Sequence, residues 1–197
     1  MHQMRVAAVA KFIVDNLQAP VDADNIVQAA LFHDTGNIIK SDLALFPEFT
    51  KPEGLAYWEK VKREYIEKYG SDEHLATIAI ARDIGLGARA LQLIENVGFG
   101  KMLLIRDSDD LEGKVVEYAD MRVAPHGVVG IAERVREGAV RYAGTKSGFS
   151  SSKYIELTEA LKAVEKEVFA RSKIKPEDVT GDSVRSVIEE LKNYELG

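Results

Sequence analysis

Apolar residues recur at intervals of three and four along nearly the whole chain, and that period commits it to α-helices that each bury one face. Between residues 4 and 17 they fall at Val6, Ala7, Val9, Ala10, Ile13, Val14 and Leu17, and Pro20 stops the run. Asp22 or Asp24 can cap a second helix carrying Ile26, Val27, Ala30 and Leu31. It ends near His33-Asp34, where Thr35-Gly36-Asn37 breaks the pattern. Residues 41–52 read as an irregular loop anchored by Phe46 and Phe49, and a charged amphipathic helix with the only tryptophan, Trp58, covers 52–69. Gly70 closes it, since glycine tolerates the left-handed cap position. Ser71 or Asp72 caps a helix to about residue 84, residues 88–97 form another, and Asp109 or Asp110 opens one that runs through 123. Pro125-His126-Gly127 reads as a loop and 131–142 as a helix. The Gly- and Ser-rich stretch 144–152 is the candidate flexible segment, and helices at 154–170 and 183–194 finish the chain. No strand pair, internal repeat or low-complexity tract emerges.

The expected fold class is therefore all-α: a helical bundle over residues 1–143 with a C-terminal helical extension, 153–197, packed on it. A chain of 197 residues buries a core without cross-links, and here it must, because there is no cysteine. That absence also removes thiolate zinc sites and cysteine nucleophiles. The net charge of -6 offers no basic face for gripping duplex nucleic acid and no attraction to anionic membranes. No apolar run approaches the roughly 18 residues of a membrane span. The N-terminus lacks a charged region followed by an apolar one, so the expectation is a cytoplasmic protein.

Against this plain background a few polar residues stand out. His33 and Asp34 are neighbours, about 100° apart on a helix, so both reach one metal only where the backbone presents them together, as at a helix end. Alone, a His-Asp pair is as readily a solvated turn or a local cap. His2 sits one turn before the apolar face of its helix. Asp120 closes the apolar run Val115-Val116-Glu117-Tyr118-Ala119, where a carboxylate is costly unless paired or coordinated. An arginine such as Arg5 or Arg122 would satisfy it, and so would a cation.

Three segments in order carry a resemblance: His2 with Val6-Ala7, then Ala29-Ala30-Leu31-Phe32-His33-Asp34-Thr35-Gly36, then Glu117-Tyr118-Ala119-Asp120-Met121-Arg122-Val123. Together they resemble the HD superfamily of metal-dependent phosphohydrolases, over residues 2 to about 142. The resemblance implies an HD-domain, phosphodiesterase-like helical bundle with His2, His33, Asp34 and Asp120 as ligands of a divalent metal. Two imidazoles and two carboxylates suit Mn, Fe, Co, Ni, Zn or Mg without selecting among them. It also implies that Asp34 both ligates and orients the attacking water.

His74, in Ser71-Asp72-Glu73-His74, matches a region where the superfamily often places a second-metal ligand, a general acid or a phosphate contact; an exposed first-turn histidine is the plainer alternative. The chain departs from the family in two places. Where many members follow the His-Asp turn with Gly-Lys, Asn37 stands here, which passes phosphate binding to Arg122, Lys40 or the Lys146 loop. No further histidine follows His74 in Glu95-Asn96-Val97-Gly98-Phe99, so one metal per chain is expected. His126 reads as an exposed loop residue, and Arg134, Arg136 and Arg141, spaced with Glu133 and Glu137, read first as a solvated helix face, with Arg134 or Arg141 pointing into the pocket as the alternative. The leading expectation is a phosphomonoesterase or phosphodiesterase acting on a nucleotide or other small phosphorylated metabolite. A nucleotide-sensing module that keeps the metal without turnover is the alternative, fed by Asn37. The apolar stripe Ile155, Leu157, Leu161, Val164 and Val168 packs on the domain or on a second copy in a homodimer.

Overall fold

The computed structural model describes residues 1–45, 50–141, 143 and 148–196. Its helices are α1 (His2–Val14), α2 (Ala23–Phe32), α3 (Leu55–Tyr69), α4 (Glu73–Asp83), α5 (Ala88–Asn96), α6 (Met102–Asp107), α7 (Leu111–Asp120), α8 (Ile131–Arg141), α9 (Ser151–Ala170) and α10 (Arg185–Leu191). The protein is all-α apart from one two-stranded hairpin. Among the described residues no helix is long and apolar enough to cross a membrane.

The helix starts follow from side-chain caps. Asp22 accepts from the backbone N–H of Asn25, Asp72 from those of His74 and Leu75, and Asp110 from that of Gly113. Each satisfies a donor that the first helical turn leaves open. Gly70 ends α3 with φ 87°, a conformation that costs a side-chain-bearing residue. The segment after residue 147 is not a plain linker: Ser150 accepts from the N–H of Lys153 and starts α9 three residues earlier than its apolar stripe predicts.

The core is built around α1, which is buried on every side rather than on one face. Val6, Ala7, Ala8, Val9, Ala10 and Ile13 are all fully buried. The small alanines let α2, α7, α10 and the hairpin close around it. α9 lies over α6 and α7, and its Leu157, Leu161, Val164 and Val168 join the same apolar cluster as α1. Lys114, buried at 2% exposure, fixes that layer by reaching Glu167 of α9 at 2.5 Å.

Two elements differ from the sequence reading. The short α6 escapes any period because only Met102 and Ile105 of its six residues turn inward. The helix expected to run through residue 123 stops at Asp120, and Val123–Ala124 (β1) pairs antiparallel with Gly127–Val128 (β2). Pro125 cannot continue a helix, and Gly127 takes φ 153°, so the intervening pair turns the chain back. Phe46 and Phe49, the expected loop anchors, lie outside the described residues.

Candidate metal centre

α2 ends at Phe32, and His33 and Asp34 occupy the turn between it and a short 3-10 turn, Thr35–Ile38. The turn is held from outside. Gly36 N–H donates to Thr77 Oγ at 2.9 Å, and the Thr77 hydroxyl donates to the carbonyl of Glu73 at 2.8 Å. A Cβ on Gly36 would stand 2.2 Å from the Glu73 oxygen and 2.6 Å from Thr77 Oγ, so α4 rests directly on the glycine. This contact is why a glycine follows the His-Asp pair, and it brings Glu73, His74 and Thr77 beside the turn.

The His33 ring is buried, with Nδ1 2.9 Å from the carbonyl of Ala30. A carbonyl only accepts, so Nδ1 bears a proton, and Nε2 is the nitrogen whose lone pair a cation would take in exchange for a proton. Nε2 has no hydrogen-bond partner. It faces Asp34 Oδ2 at 3.6 Å and Asp120 Oδ1 at 3.5 Å. From the first turn of α1, His2 Nε2 meets the same Asp120 oxygen at 3.0 Å and the same Asp34 oxygen at 3.7 Å. Asp120 comes from the last residue of α7, which packs against both α1 and α2. His2, His33 and Asp34 thus each offer one ligand atom within 4.8 Å of the other two, and Asp120 adds a carboxylate oxygen against both imidazoles.

Most of these separations exceed a hydrogen bond. Ligand atoms about 2.1 Å from a cation stand roughly 3.0 Å apart across an octahedral edge and roughly 3.4 Å apart across a tetrahedral one. The observed 3.0 to 3.7 Å fits that spacing. Together with the unpartnered Nε2 and the mixed N/O chemistry, the donor set fits a divalent cation.

These groups border a cavity of about 560 Å³. Its polar lining includes Lys40, Glu73, His74, Arg134 and Arg141, and its apolar lining Ile94, Val97, Phe99, Met121 and Val123. A second hollow around Pro20, Asp24 and Glu112 contains no imidazole and is a shallow surface feature.

The family model of the HD domain matches residues 1–122, a span that includes all four converging residues. The chain belongs to the HD-domain family. No curated protein and no solved structure matches it. HD domains are metal-dependent phosphohydrolases as a superfamily and bind divalent metals, so the His/Asp cluster is where this HD domain would hold one.

The electrostatics of this HD domain follow from burial. Desolvation would lower the His33 imidazole, but the nearby carboxylates of Asp120 and Asp34 raise it to about 9. Desolvation would raise Asp120, yet the hydrogen bond from His2 and the charge of the His33 imidazole hold it well below the usual carboxylate range. One turn earlier on α7, Glu117 is fully buried. One of its oxygens accepts from Gly98 N–H at 2.6 Å and the other has no partner. Burial first, then the charge of Asp120, push it up to about 8.

The other expected site residues divide. His74 lines the cavity, its Nε2 3.2 Å from Lys101 Nζ. Lys40 lines it too, ion-paired with Glu73 at 3.3 Å. Arg122 is a correction: it neither pairs with Asp120 nor lines the cavity. Its buried guanidinium donates to the carbonyls of Val129, Pro176 and Val179 and to Tyr118 Oη, tying α7 to the C-terminal segment. Lys146 lies outside the described residues. Arg5 likewise turns from Asp120 to the carbonyl of Pro125, and His126 stays an exposed residue paired with Glu133. Sequence reasoning passed over Glu117, Thr77 and Lys101; Arg134 and Arg141, read first as a solvated face, take the alternative and line the cavity. The available signals were spacings: Glu117 is one turn from Asp120, and Arg134 and Arg141 are two turns apart on one helix.

Proposed function

We propose that this HD domain hydrolyses a phosphate ester of a small metabolite, a nucleotide among the candidates, with one divalent cation held by His2, His33, Asp34 and Asp120. The observation that carries this reading is the cluster of His2, His33 and Asp34, with Asp120 against both imidazoles, at the wall of a cavity that has both polar and apolar lining residues. A bound cation supplies two things: an acidified water and neutralisation of charge on a phosphoryl oxygen.

The protein's own groups do the rest. Asp34 is about one-third exposed, unlike the buried His33, so its carboxylate can accept a hydrogen bond from the attacking water and orient it. Lys101 can only donate, so His74 Nε2 is the acceptor of that contact and the ring proton sits on Nδ1. His74 then serves as a hydrogen-bond donor to a phosphoryl or leaving-group oxygen, and its Nε2 is taken up by Lys101 rather than open to a second cation. The apolar lining, with Phe99 and Val97, receives the organic part of the ester.

The test is a panel of phosphomonoesters, phosphodiesters and nucleotides, assayed with the purified protein after stripping and reloading with each candidate metal. Metal-dependent release of phosphate or alcohol, falling at least about 100-fold in Asp34→Ala, is the expected result. Asn37, which lines the same cavity, favours a second reading, a nucleotide sensor. Saturable nucleotide binding with no turnover in any metal would establish the sensor and overturn the enzyme.

A further inference from the structure

We propose that Arg134 is the phosphate-binding residue of this cavity and that its guanidinium selects terminal phosphate groups over diesters. The inference builds on the phosphohydrolase reading and adds the group that holds the anion.

Four observations carry it. Arg134 lines the cavity from α8 with a side chain only 13% exposed. Its Nη1 is held from behind by Glu137 at 3.2 Å, while its buried Nε–H has no acceptor. A permanently charged group with a buried, unanswered donor is expensive unless something else answers it. Gly138 lies under the same guanidinium: a Cβ there would stand 3.3 Å from Nη1. An alanine there, the better helix former, would press on the guanidinium and shift it by a few tenths of an ångström.

The other charged groups do not fill this role. Arg122 is turned to the C-terminal segment, and Lys40 is ion-paired with Glu73 and half-exposed. Glu117 feels the charge of Arg134, yet its free oxygen and the arginine's Nε each remain without a hydrogen-bond partner, so the two do not satisfy each other.

The selectivity follows from oxygen counting. Arginine binds a phosphoryl group best with two parallel N–H bonds to two oxygens, and Glu137 takes only Nη1 of Arg134, which leaves Nη2 and Nε uncommitted. A terminal phosphate has three non-bridging oxygens, enough to give one to a cation and two to the fork. A diester has two and can give the fork only one.

The experiment measures binding and needs no turnover. Calorimetric titrations of the full chain loaded with Mn(II) use inorganic phosphate, methyl phosphate and dimethyl phosphate and compare wild type with Arg134→Met, Arg134→Lys, Gly138→Ala and the solvent-facing control Arg136→Met. The expected result is phosphate and methyl phosphate binding weakened at least about 10-fold in Arg134→Met and by about 3-fold or more in Arg134→Lys and Gly138→Ala. Dimethyl phosphate binding changes less, and Arg136→Met matches wild type. Gly138→Ala is the discriminating variant, since a purely structural arginine would not link a helix-favouring alanine to weaker anion binding. Unchanged phosphate affinity in folded Arg134→Met overturns the proposal. If that variant does not fold, unchanged affinity in both Arg134→Lys and Gly138→Ala does so, as does equal loss of monoester and diester. Failure of the parent reading is separate: it appears as absent turnover in wild type, whatever the titrations give.

Discussion

Replacing Glu117 with glutamine isolates one charge in the core beside the candidate metal centre. The folded protein holds this acid at about 8, against 4.5 for a glutamate free in solvent, because the side chain has no exposure and lies near Asp120. Between those two values the folded state keeps a proton that the unfolded chain has lost. Stability is therefore greatest below the lower value and drains away as pH rises toward the upper one. At about 1.4 kcal/mol per pH unit, the loss in the metal-free protein is roughly 3 kcal/mol by pH 7 and levels off near roughly 5 kcal/mol above pH 8. Glutamine retains an oxygen for Gly98 N–H and cannot ionise. Urea unfolding of chelator-treated wild type and Glu117→Gln at pH 5, 7 and 8.5 gives the difference free of titrations common to both. The variant should gain on wild type by roughly 3 to 5 kcal/mol across that range. A difference that stays constant within about 1 kcal/mol, or one that moves in favour of wild type as pH rises, would refute the assignment of a buried, proton-holding carboxyl.

Three further outcomes are expected. In the metal-free protein His33 is raised to about 9, so it holds a proton at neutral pH that a cation must displace. Calorimetric metal titration at pH 7 in buffers of different ionisation enthalpy should register release of about one proton, with affinity rising toward pH 9; no proton release would contradict this. Gly36→Ala forces a methyl into the Glu73 carbonyl at 2.2 Å and should cost about 3 kcal/mol or more by chemical denaturation, with loss of metal binding. A cost below about 0.5 kcal/mol would mean α4 does not rest on that glycine. Arg122→Met strips a buried cation from three carbonyls and should cost about 3 to 5 kcal/mol, while phosphate titrates the folded variant as it does wild type. Weakened phosphate binding there would return Arg122 to the anion site.

Much of the architecture and part of the site were legible before any tertiary contact was known. The period of three and four announced an all-helical chain, and Asp22, Asp72 and Asp110, each one of two adjacent or near-adjacent candidates, cap the helices at those starts. Both kinds of signal are local, because helix hydrogen bonds and caps span only a few residues. His33-Asp34 at a helix end and Asp120 at the close of an apolar helix were visible for the same reason: each is an odd residue in its own neighbourhood. What tertiary packing decided is which groups meet. Arg122 and Arg134 are both arginines in helix-rich surroundings, yet one is drawn to carbonyls more than fifty residues away and the other to the cavity. Packing likewise decided that α1 is enclosed on all sides, that Gly36 bears the weight of α4, and that His2 and Asp120, 118 positions apart, touch. A side chain's direction relative to a distant partner depends on how whole helices pack, and no short-range pattern encodes that geometry.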